Sequence, residues 1–269
     1  MSVATLIQSA LGLDRPPVLR PIGEGGEHHS WWVDDHYVAR LAPDREAGLR
    51  LRRELALRDL IRPYTDVPLP RSAGHGEWAP GCDFTVDTRL DGASGEDRPL
   101  SPDGTRQLAA LLRALRTIPA GPLAELGVPA GEPIPWQRLA ADAEAARHRL
   151  DHREPLRAPA PPAVPPVLVH ADLKGEHLLV RPDGTLAGVL DWTDALVADP
   201  ALDVAGLAIS VGARAAALIA AGAGHTPETV AAGVFLARCE TLIRLDERLR
   251  DESDSPLPLL RAQSSRAWE

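Results

Sequence analysis

Residues 167–192 read VLVHADLKGEHLLVRPDGTLAGVLDW. Three short apolar runs in this stretch, at 167–169, 178–180 and 186–190, have the length and composition of β-strands. The last two runs flank the sequence RPDG at 181–184, where proline and glycine occupy the positions of a tight turn, so they predict a hairpin. We expect the hairpin to bring His177 beside Asp191, with Asp172 a few residues away in the loop.

These three side chains form a chemically useful set. Asp172 is a carboxylate that can face a substrate, and His177 and Asp191 can hold a divalent cation. Phosphoryl transfer needs a residue that orients and deprotonates the attacking hydroxyl, together with metal ligands that neutralise the phosphates. The set therefore indicates phosphoryl transfer.

The motif continues downstream and resembles a known family. The matching residues are His170-x-Asp172-x-x-x-x-His177, then Asp191-Trp192, then Asp199-Pro200-x-x-Asp203. This pattern resembles the aminoglycoside phosphotransferase family, whose members include macrolide kinases and share the protein-kinase fold. The resemblance covers most of the chain and is specific around residues 168–205.

The resemblance implies a role for each residue of the motif. It makes Asp172 the catalytic base, Asp191 the main Mg²⁺ ligand and His177 the second metal ligand, in the place where the family usually has asparagine. Because magnesium prefers oxygen ligands, His177 could instead bind through water or contact phosphate directly. Lys174, the single lysine of the sequence, stands where kinases contact the transferring phosphoryl group. An exposed loop lysine is the alternative.

A kinase must also cradle a nucleotide, ATP or GTP, and we expect residues 1–90 to do so. A glycine-rich turn precedes a strand, and it supplies the candidate residues Gly23, Gly25, Gly26, His28 and Ser30. It is not a P-loop, because no Gly-Lys-Ser/Thr exists. By itself the turn is equally compatible with an ordinary hairpin.

The resemblance also implies a basic residue on the next strand, held by a helix glutamate. Arg40 ends such a strand and Glu54 lies in the middle of the predicted helix 44–62. Arginine suits this role because its guanidinium grips phosphate and carboxylate through two hydrogen bonds. A surface arginine with an unpaired glutamate is the alternative. The stretch 84–90 would be the hinge that binds the base, with the candidate residues Asp87, Thr88 and Leu90.

The fold implied is bilobal and α+β, like a protein kinase. We expect a small N-terminal antiparallel-sheet lobe over residues 1–90 and a larger, mostly helical C-terminal lobe over residues 91–269. Helical periodicity and capping residues predict helices over 102–115, 137–152 and 226–250. The last 19 residues are polar and are expected to fray.

Composition limits the partners. The 269 residues carry a formal net charge of −9, which disfavours nucleic acid and anionic membranes and favours a cationic small molecule. Two distant cysteines, no basic leader and apolar runs of about ten residues predict a cytoplasmic protein. We infer no obligatory protein partner from the sequence. Asp194 and Glu240 are candidates for contacting the acceptor, although a solvated helix face also explains Glu240.

Together these observations predict an enzyme that transfers the γ-phosphate of ATP or GTP, with Mg²⁺, to a hydroxyl of an antibiotic and so confers resistance. The acceptor would be an aminoglycoside, a macrolide or a basic peptide. Two alternatives are a non-catalytic kinase fold that binds nucleotide or ligand, and a kinase of a small metabolite. A metal-dependent phosphohydrolase is less well supported, because the sequence has no second metal-binding cluster.

Overall fold

The structure is a computed structural model that describes residues 2–23, 29–250 and 255–269. Three of the candidate nucleotide-binding residues, Gly25, Gly26 and His28, lie outside these ranges. No helix in the described ranges has the length and hydrophobicity that crossing a bilayer would need.

The N-terminal part is built around an antiparallel sheet. In the described residues its strands lie in the order β1-β2-β3-β5-β4. Alternate residues on one face, such as Val33, Ala39 and Val86, are buried against Ile7 of the first helix, as the two-residue period of a strand requires. The elements are α1 (Val3–Leu11), β1 (Leu19–Pro21), β2 (His29–Val33), β3 (Tyr37–Leu41), α2 (Arg45–Ile61), β4 (Ser72–Ala79) and β5 (Cys82–Thr88).

Helix α2 connects this sheet to the rest of the molecule. Asp44 caps its first turn by accepting a hydrogen bond from the Ala47 N–H at 2.9 Å, and the helix ends before Pro63. Its last turns bury Leu57 and Ile61 in the core of the C-terminal part rather than under the sheet. The helix is therefore placed to contact both parts of the molecule.

The C-terminal part is mostly helical, with short strands that carry the motif. Strand β7 pairs with β10, and β8 pairs with both β6 and β9. These pairings bring the loop before β8 and the loop after β9, which carry the motif residues, close together. The elements are β6 (Ala93–Ser94), α3 (Pro102–Leu115), α4 (Ala120–Glu125), α5 (Trp136–Arg149), β7 (Val167–Val169), β8 (Leu178–Val180), β9 (Leu186–Val189), β10 (Leu196–Ala198), α6 (Ala201–Val211), α7 (Ala213–Gly222), α8 (Pro227–Leu249) and α9 (Leu257–Trp268).

The predicted fold class, a small N-terminal antiparallel sheet followed by a mostly helical C-terminal part, is confirmed. Strand β5 ends at Thr88, so the stretch 84–90 predicted as the hinge begins inside the sheet, and base binding by this stretch stays a prediction. One local prediction was wrong. The C-terminal tail does not fray over residues 257–268, because α9 buries Leu260 and Ala267 against the core.

Candidate active site

The loop between β7 and β8 brings the predicted catalytic residues together. Lys174 Nζ lies 2.7 Å from Asp172 Oδ1. His177 Nδ1 lies 2.8 Å from the backbone oxygen of Asp172, and its Nε2 lies 3.8 Å from Asp191 Oδ2. The hairpin thus places His177 beside Asp191, and the side chains of Asp172, Lys174, His177 and Asp191 are all partly exposed.

Side chains of helix α6 form hydrogen bonds to the backbone of this loop. Ala171 has a φ of 67°, a left-handed conformation that is costly for a residue with a side chain and that needs support from its surroundings. Asp203 supplies it: its carboxylate accepts the backbone N–H groups of His170 at 3.1 Å and Ala171 at 2.9 Å. The Asp203 side chain, on helix α6, therefore serves the loop between β7 and β8.

Two further residues of α6 continue this support. Ser210 Oγ donates to the Gly206 carbonyl of its own helix at 2.6 Å and lies 3.2 Å from the backbone oxygen of Leu173. Gly206 lies so close beneath the loop that a Cβ there would be 3.0 Å from the Leu173 oxygen. Asp203, Gly206 and Ser210 therefore present one helix face to the loop, as their spacing of three and four residues requires.

His170 has a structural part in the loop. Burial lowers its pKa to about 4, so the ring is neutral at neutral pH. Its Nε2 lies 2.8 Å from the Leu190 carbonyl, and the Asp172 N–H donates to its Nδ1 at 3.3 Å. Trp192, which is fully buried, packs its ring 4.6 Å from the imidazole. The neutral ring thus connects the Asp172 loop to the chain just before Asp191.

Asp191 is held as a carboxylate in a strained position. Its φ is 54°, and both the hydroxyl and the N–H of Thr193 donate to its Oδ1. Burial raises the pKa of Asp191, but the Thr193 hydroxyl and the nearby His177 and Arg40 outweigh burial and hold the pKa below its ordinary value. The carboxylate is therefore ionised at neutral pH, as a metal ligand must be.

The donor set fits a metal that arrives with a nucleotide. A hydrogen bond from His177 Nδ1–H to the Asp172 carbonyl leaves a lone pair on Nε2, on the side of Asp191. The described residues contain no group of three or more His, Cys, Asp or Glu side chains that could hold a metal ion. Magnesium is commonly held by one or two carboxylates together with substrate phosphates. Asp191 supplies one carboxylate, and His177 adds an imidazole nitrogen where Mg²⁺ more often takes oxygen.

Arg40 and Glu54 meet in the N-terminal part. Arg40 Nη2 lies 2.8 Å from a carboxylate oxygen of Glu54 and 3.2 Å from Asp87 Oδ2. Burial lowers the pKa of Arg40, but its carboxylate neighbours outweigh burial and raise the pKa above its ordinary value, so the guanidinium is charged. The negative charge of Asp191 also raises the pKa of Arg40, so the guanidinium of the N-terminal part and this carboxylate of the C-terminal part attract each other.

Asp87 differs from the prediction that it binds the base. Its two carboxylate oxygens accept hydrogen bonds from Arg58 at 3.0 and 3.1 Å, and both side chains are buried. Burial raises the pKa of Asp87, yet Arg58 and Arg40 hold it below its ordinary value. The carboxylate is committed to these guanidinium groups because a buried charge needs partners.

The other predicted nucleotide-binding residues are spread over the sheet and the connection between the lobes. Gly23 is exposed at the end of β1, and Ser30 stands opposite Arg40 in the β2–β3 register. Thr88 uses its N–H and its hydroxyl to bond the backbone of Arg71, at 2.7 and 3.1 Å, and so fixes the strand end rather than a base. Leu90 packs against Gly188.

The two predicted acceptor residues lie on different parts of the chain, one directly after Thr193 and the other on α8. Asp194 is exposed directly after Thr193. Glu240 Oε1, on α8, lies 3.6 Å from Arg244 Nη1 and 3.9 Å from Lys174 Nζ. The Glu240 carboxylate thus already has cationic neighbours within the chain.

Sequence reasoning missed several residues that shape the site. Arg58 follows Glu54 by four residues, so both lie on the same face of α2, where their charged groups are 3.7 Å apart. This spacing could have indicated that Arg58 belongs to the cluster around Glu54. A glycine inside a helix, such as Gly206, commonly marks a close contact. The contact between Arg53 Nη2 and the Thr193 carbonyl, at 3.2 Å, joins residues 140 positions apart and carries no local signal.

Comparison with known proteins gives consistent results. A family model described as "Phosphotransferase enzyme family" matches residues 18–233. The viomycin phosphotransferase of Streptomyces vinaceus is 29% identical over 210 residues, which are 70% of this chain and 72% of that protein.

Solved structures show the same fold. A GDP complex of aminoglycoside 2'-phosphotransferase-IIIa superimposes with a TM-score of 0.74 and 20% identity, over 97% of both chains. A macrolide 2'-phosphotransferase from Brachybacterium faecium has a TM-score of 0.67 and 19% identity, over 98% of both chains. The fold of this chain is therefore that of these kinase-like phosphotransferases.

Proposed function

The chain belongs to the phosphotransferase enzyme family, and we propose that the hydroxyl it phosphorylates is carried by a cationic antibiotic. The observation that carries the proposal is the cluster of Asp172, Lys174, His177 and Asp191, whose Asp191 carboxylate attracts the Arg40 guanidinium of the N-terminal part. The similarity to a viomycin phosphotransferase supports an antibiotic acceptor. The consequence for the cell would be resistance to that antibiotic.

Asp172 is the proposed general base. It accepts the proton of the acceptor hydroxyl while the hydroxyl oxygen attacks the γ-phosphorus of ATP or GTP. The bond from that phosphorus to the bridging oxygen breaks and the nucleoside diphosphate leaves. The Asp172 carboxylate is partly exposed, so the proton can pass on to solvent.

Lys174 and Arg40 supply positive charge. Lys174 Nζ, beside Asp172, is proposed to contact the transferring phosphoryl group, and Arg40, held by Glu54, the other phosphates of the nucleotide. Cations positioned before the reaction stabilise the charge that develops on the phosphoryl oxygens. Gly23, after β1, and Ser30, on β2, are proposed to lie near these phosphates.

Mg²⁺ would be held by Asp191 and His177, where it would neutralise the phosphate oxygens of the nucleotide. The ionised Asp191 carboxylate and the Nε2 lone pair of His177 are the donors available for it. Thr193 fixes the orientation of the Asp191 carboxylate, so the donors are in place before a nucleotide binds.

The acidic residues near the loop and the net charge of −9 support a cationic acceptor. Asp194 is exposed on the loop that carries Asp191 and is proposed to bind an ammonium group of the acceptor. Glu240 is proposed to lie at the edge of the same region, where it also faces Lys174. A cytoplasmic location would give the enzyme access to ATP and GTP.

Mass spectrometry of candidate acceptors tests the proposal. Viomycin, kanamycin, streptomycin and a macrolide are each incubated with the protein, Mg²⁺ and either ATP or GTP. We expect one of these compounds to gain a single phosphoryl group, and the Asp172→Asn variant to produce none in the same time. Transfer only to neutral metabolites, or nucleotide binding without any transfer, would overturn the antibiotic assignment.

A further inference from the structure

Helix α2 contacts both halves of the candidate site through neighbouring residues. Glu54 pairs with Arg40, the proposed phosphate-binding group of the N-terminal lobe. The residue before it, Arg53, reaches the other lobe and donates from Nη2 to the backbone oxygen of Thr193 at 3.2 Å. One turn of helix thus joins the nucleotide side to the loop that carries Asp191.

The Thr193 end of this contact is directly linked to the proposed metal ligand. The hydroxyl and N–H of Thr193 both donate to Asp191 Oδ1. Thr193 is 7% exposed, so its hydrogen bonds compete little with water. A shift of the Thr193 backbone would therefore move the Asp191 carboxylate.

The backbone of the loop needs such support. Asp191 has a φ of 54°, a conformation that persists only where surrounding contacts fix it. The bond from Arg53 is one of these contacts, and it comes from the opposite lobe. Without it, the loop can relax toward an ordinary conformation and carry the carboxylate out of place.

We propose that Arg53 is a positioning residue that couples nucleotide binding by Arg40, which Glu54 holds, to Mg²⁺ binding by Asp191. Arg53 touches neither the nucleotide nor the metal in this scheme and acts through Thr193. The inference rests on the proposed function, because it takes Asp191 as a ligand of nucleotide-bound Mg²⁺. It predicts that loss of Arg53 weakens the contribution of Mg²⁺ to nucleotide affinity.

Electrostatics alone predicts the opposite sign. Removing a cation near a carboxylate strengthens the attraction of that carboxylate for Mg²⁺. A loss of Mg²⁺-dependent affinity in an Arg53 variant would therefore report on the position of the carboxylate and not on the lost charge. Arg53→Lys keeps the charge and a donor, so it should recover part of the effect.

Calorimetric titration with ADP and with GDP tests the proposal without any acceptor. Each nucleotide is titrated in excess EDTA and then in excess Mg²⁺, and the ratio of the two affinities is the Mg²⁺ enhancement. We expect Arg53→Ala to reduce this enhancement about fivefold, the lower end of typical coupling between sites, while the affinity in EDTA stays within about twofold. Arg53→Lys should give an intermediate value.

Arg52→Ala is the matched control. Arg52 precedes Arg53 on the same helix, but its guanidinium pairs with Asp83 of the sheet at 2.7 Å. This variant should keep the full Mg²⁺ enhancement. Circular dichroism checks that each variant is folded, and Arg53→Lys decides the question if Arg53→Ala is not.

The outcomes distinguish failure of this inference from failure of the proposed function. Failure of the unaltered protein to bind either nucleotide would count against the proposed function. Normal nucleotide binding with the same Mg²⁺ enhancement in the protein and the Arg53 variants would overturn the inference alone. An equal loss of affinity with and without Mg²⁺ would also overturn it, because Arg53 would then only hold the lobes together.

Discussion

The side chain of Lys174 donates a hydrogen bond to Asp172, with 2.7 Å between Nζ and Oδ1. Burial lowers the pKa of Lys174, but Asp172 and Glu240 outweigh burial and raise it above its ordinary value. The ammonium is therefore charged at neutral pH. The one lysine of the sequence thus forms an ion pair with the proposed base. An incoming phosphoryl group would compete with Asp172 for the Lys174 ammonium.

Asp172→Asn should remove the proposed base while keeping the shape of the loop. We expect the rate of phosphoryl transfer to fall about 10³-fold, within the range usual for loss of a general base, and nucleotide affinity to change little. Steady-state kinetics and calorimetry measure the two quantities. Asp183→Asn, in the turn after β8, is the control and should keep the full rate, whereas an active Asp172→Asn would exclude Asp172 as the base.

Amine-selective acylation should inactivate the protein by modifying Lys174. Because the sequence has no other lysine, peptide mass spectrometry has to distinguish modification of Lys174 only from modification of the α-amino group. Bound nucleotide with Mg²⁺ should slow the reaction, since Lys174 is proposed to contact the phosphates. The Lys174→Arg variant should keep its own residual rate after the same treatment, and inactivation of that variant at an equal rate would contradict the assignment.

Gly206→Ala should displace the proposed catalytic loop, because the added methyl group would press on its backbone at Leu173. The added methyl group would lie 3.0 to 3.2 Å from backbone atoms of Leu173, which cannot turn aside as a side chain could. We expect the turnover rate to fall about tenfold or more, because small displacements of catalytic groups are costly, while circular dichroism shows a folded protein. Gly121→Ala, where a Cβ meets nothing within 4 Å, is the control. An unchanged rate would show that the loop absorbs the methyl group.

Arg58→Met should strongly destabilise the protein. It would leave Asp87 buried without its two-point partner, and breaking a buried ion pair from one side costs about 3 to 5 kcal/mol. Arg20→Met removes a pair with Asp35 in which both side chains are more than half exposed, and should cost under about 1 kcal/mol. Urea unfolding measures the free energy of unfolding of both variants. Equal losses would contradict the prediction that the buried Arg58–Asp87 pair stabilises the protein more than the exposed Arg20–Asp35 pair.

His170 should make stability depend on pH. Its pKa of about 4 in the folded protein lies below the 6.5 of an unfolded histidine, so its contribution is complete above pH 6.5 and is lost as pH falls toward 4. The stability advantage over His170→Gln should shrink by about 2 kcal/mol between pH 7 and pH 5. Urea unfolding at both values measures it. Asp203 and His225 titrate in both proteins and cancel in the difference, so a constant advantage would refute a buried neutral His170.

Local sequence was enough to predict the hairpin and the grouping of its polar side chains. Asp172, Lys174 and His177 lie within six residues, and the turn after β8 returns the chain to Asp191 at a distance that the strand lengths fix. The bounds of α2, α3 and α8 were also predicted closely, because caps and prolines mark where helices begin and end.

The nucleotide side was predicted less well. Arg40 and Glu54 meet as expected, but Asp87 was assigned to the base and instead belongs to the ion pairs behind Arg40. The sequence could not distinguish these roles, since both need an aspartate near the end of a strand. The register of β3 against β5, which sets Val38 opposite Asp87, decides which way the carboxylate points.

The motif spacing and the apolar periodicity of the chain determined the fold class, the family and the catalytic loop, because those features depend on residues close together along the backbone. Only the tertiary structure decided that Asp203 holds the loop, that Arg58 neutralises Asp87 and that Arg53 reaches Thr193. Each of these contacts joins residues about 30 to 140 positions apart. A charged side chain shows by itself only that it needs a partner or water, and the packing of helices and strands determines which partner it meets.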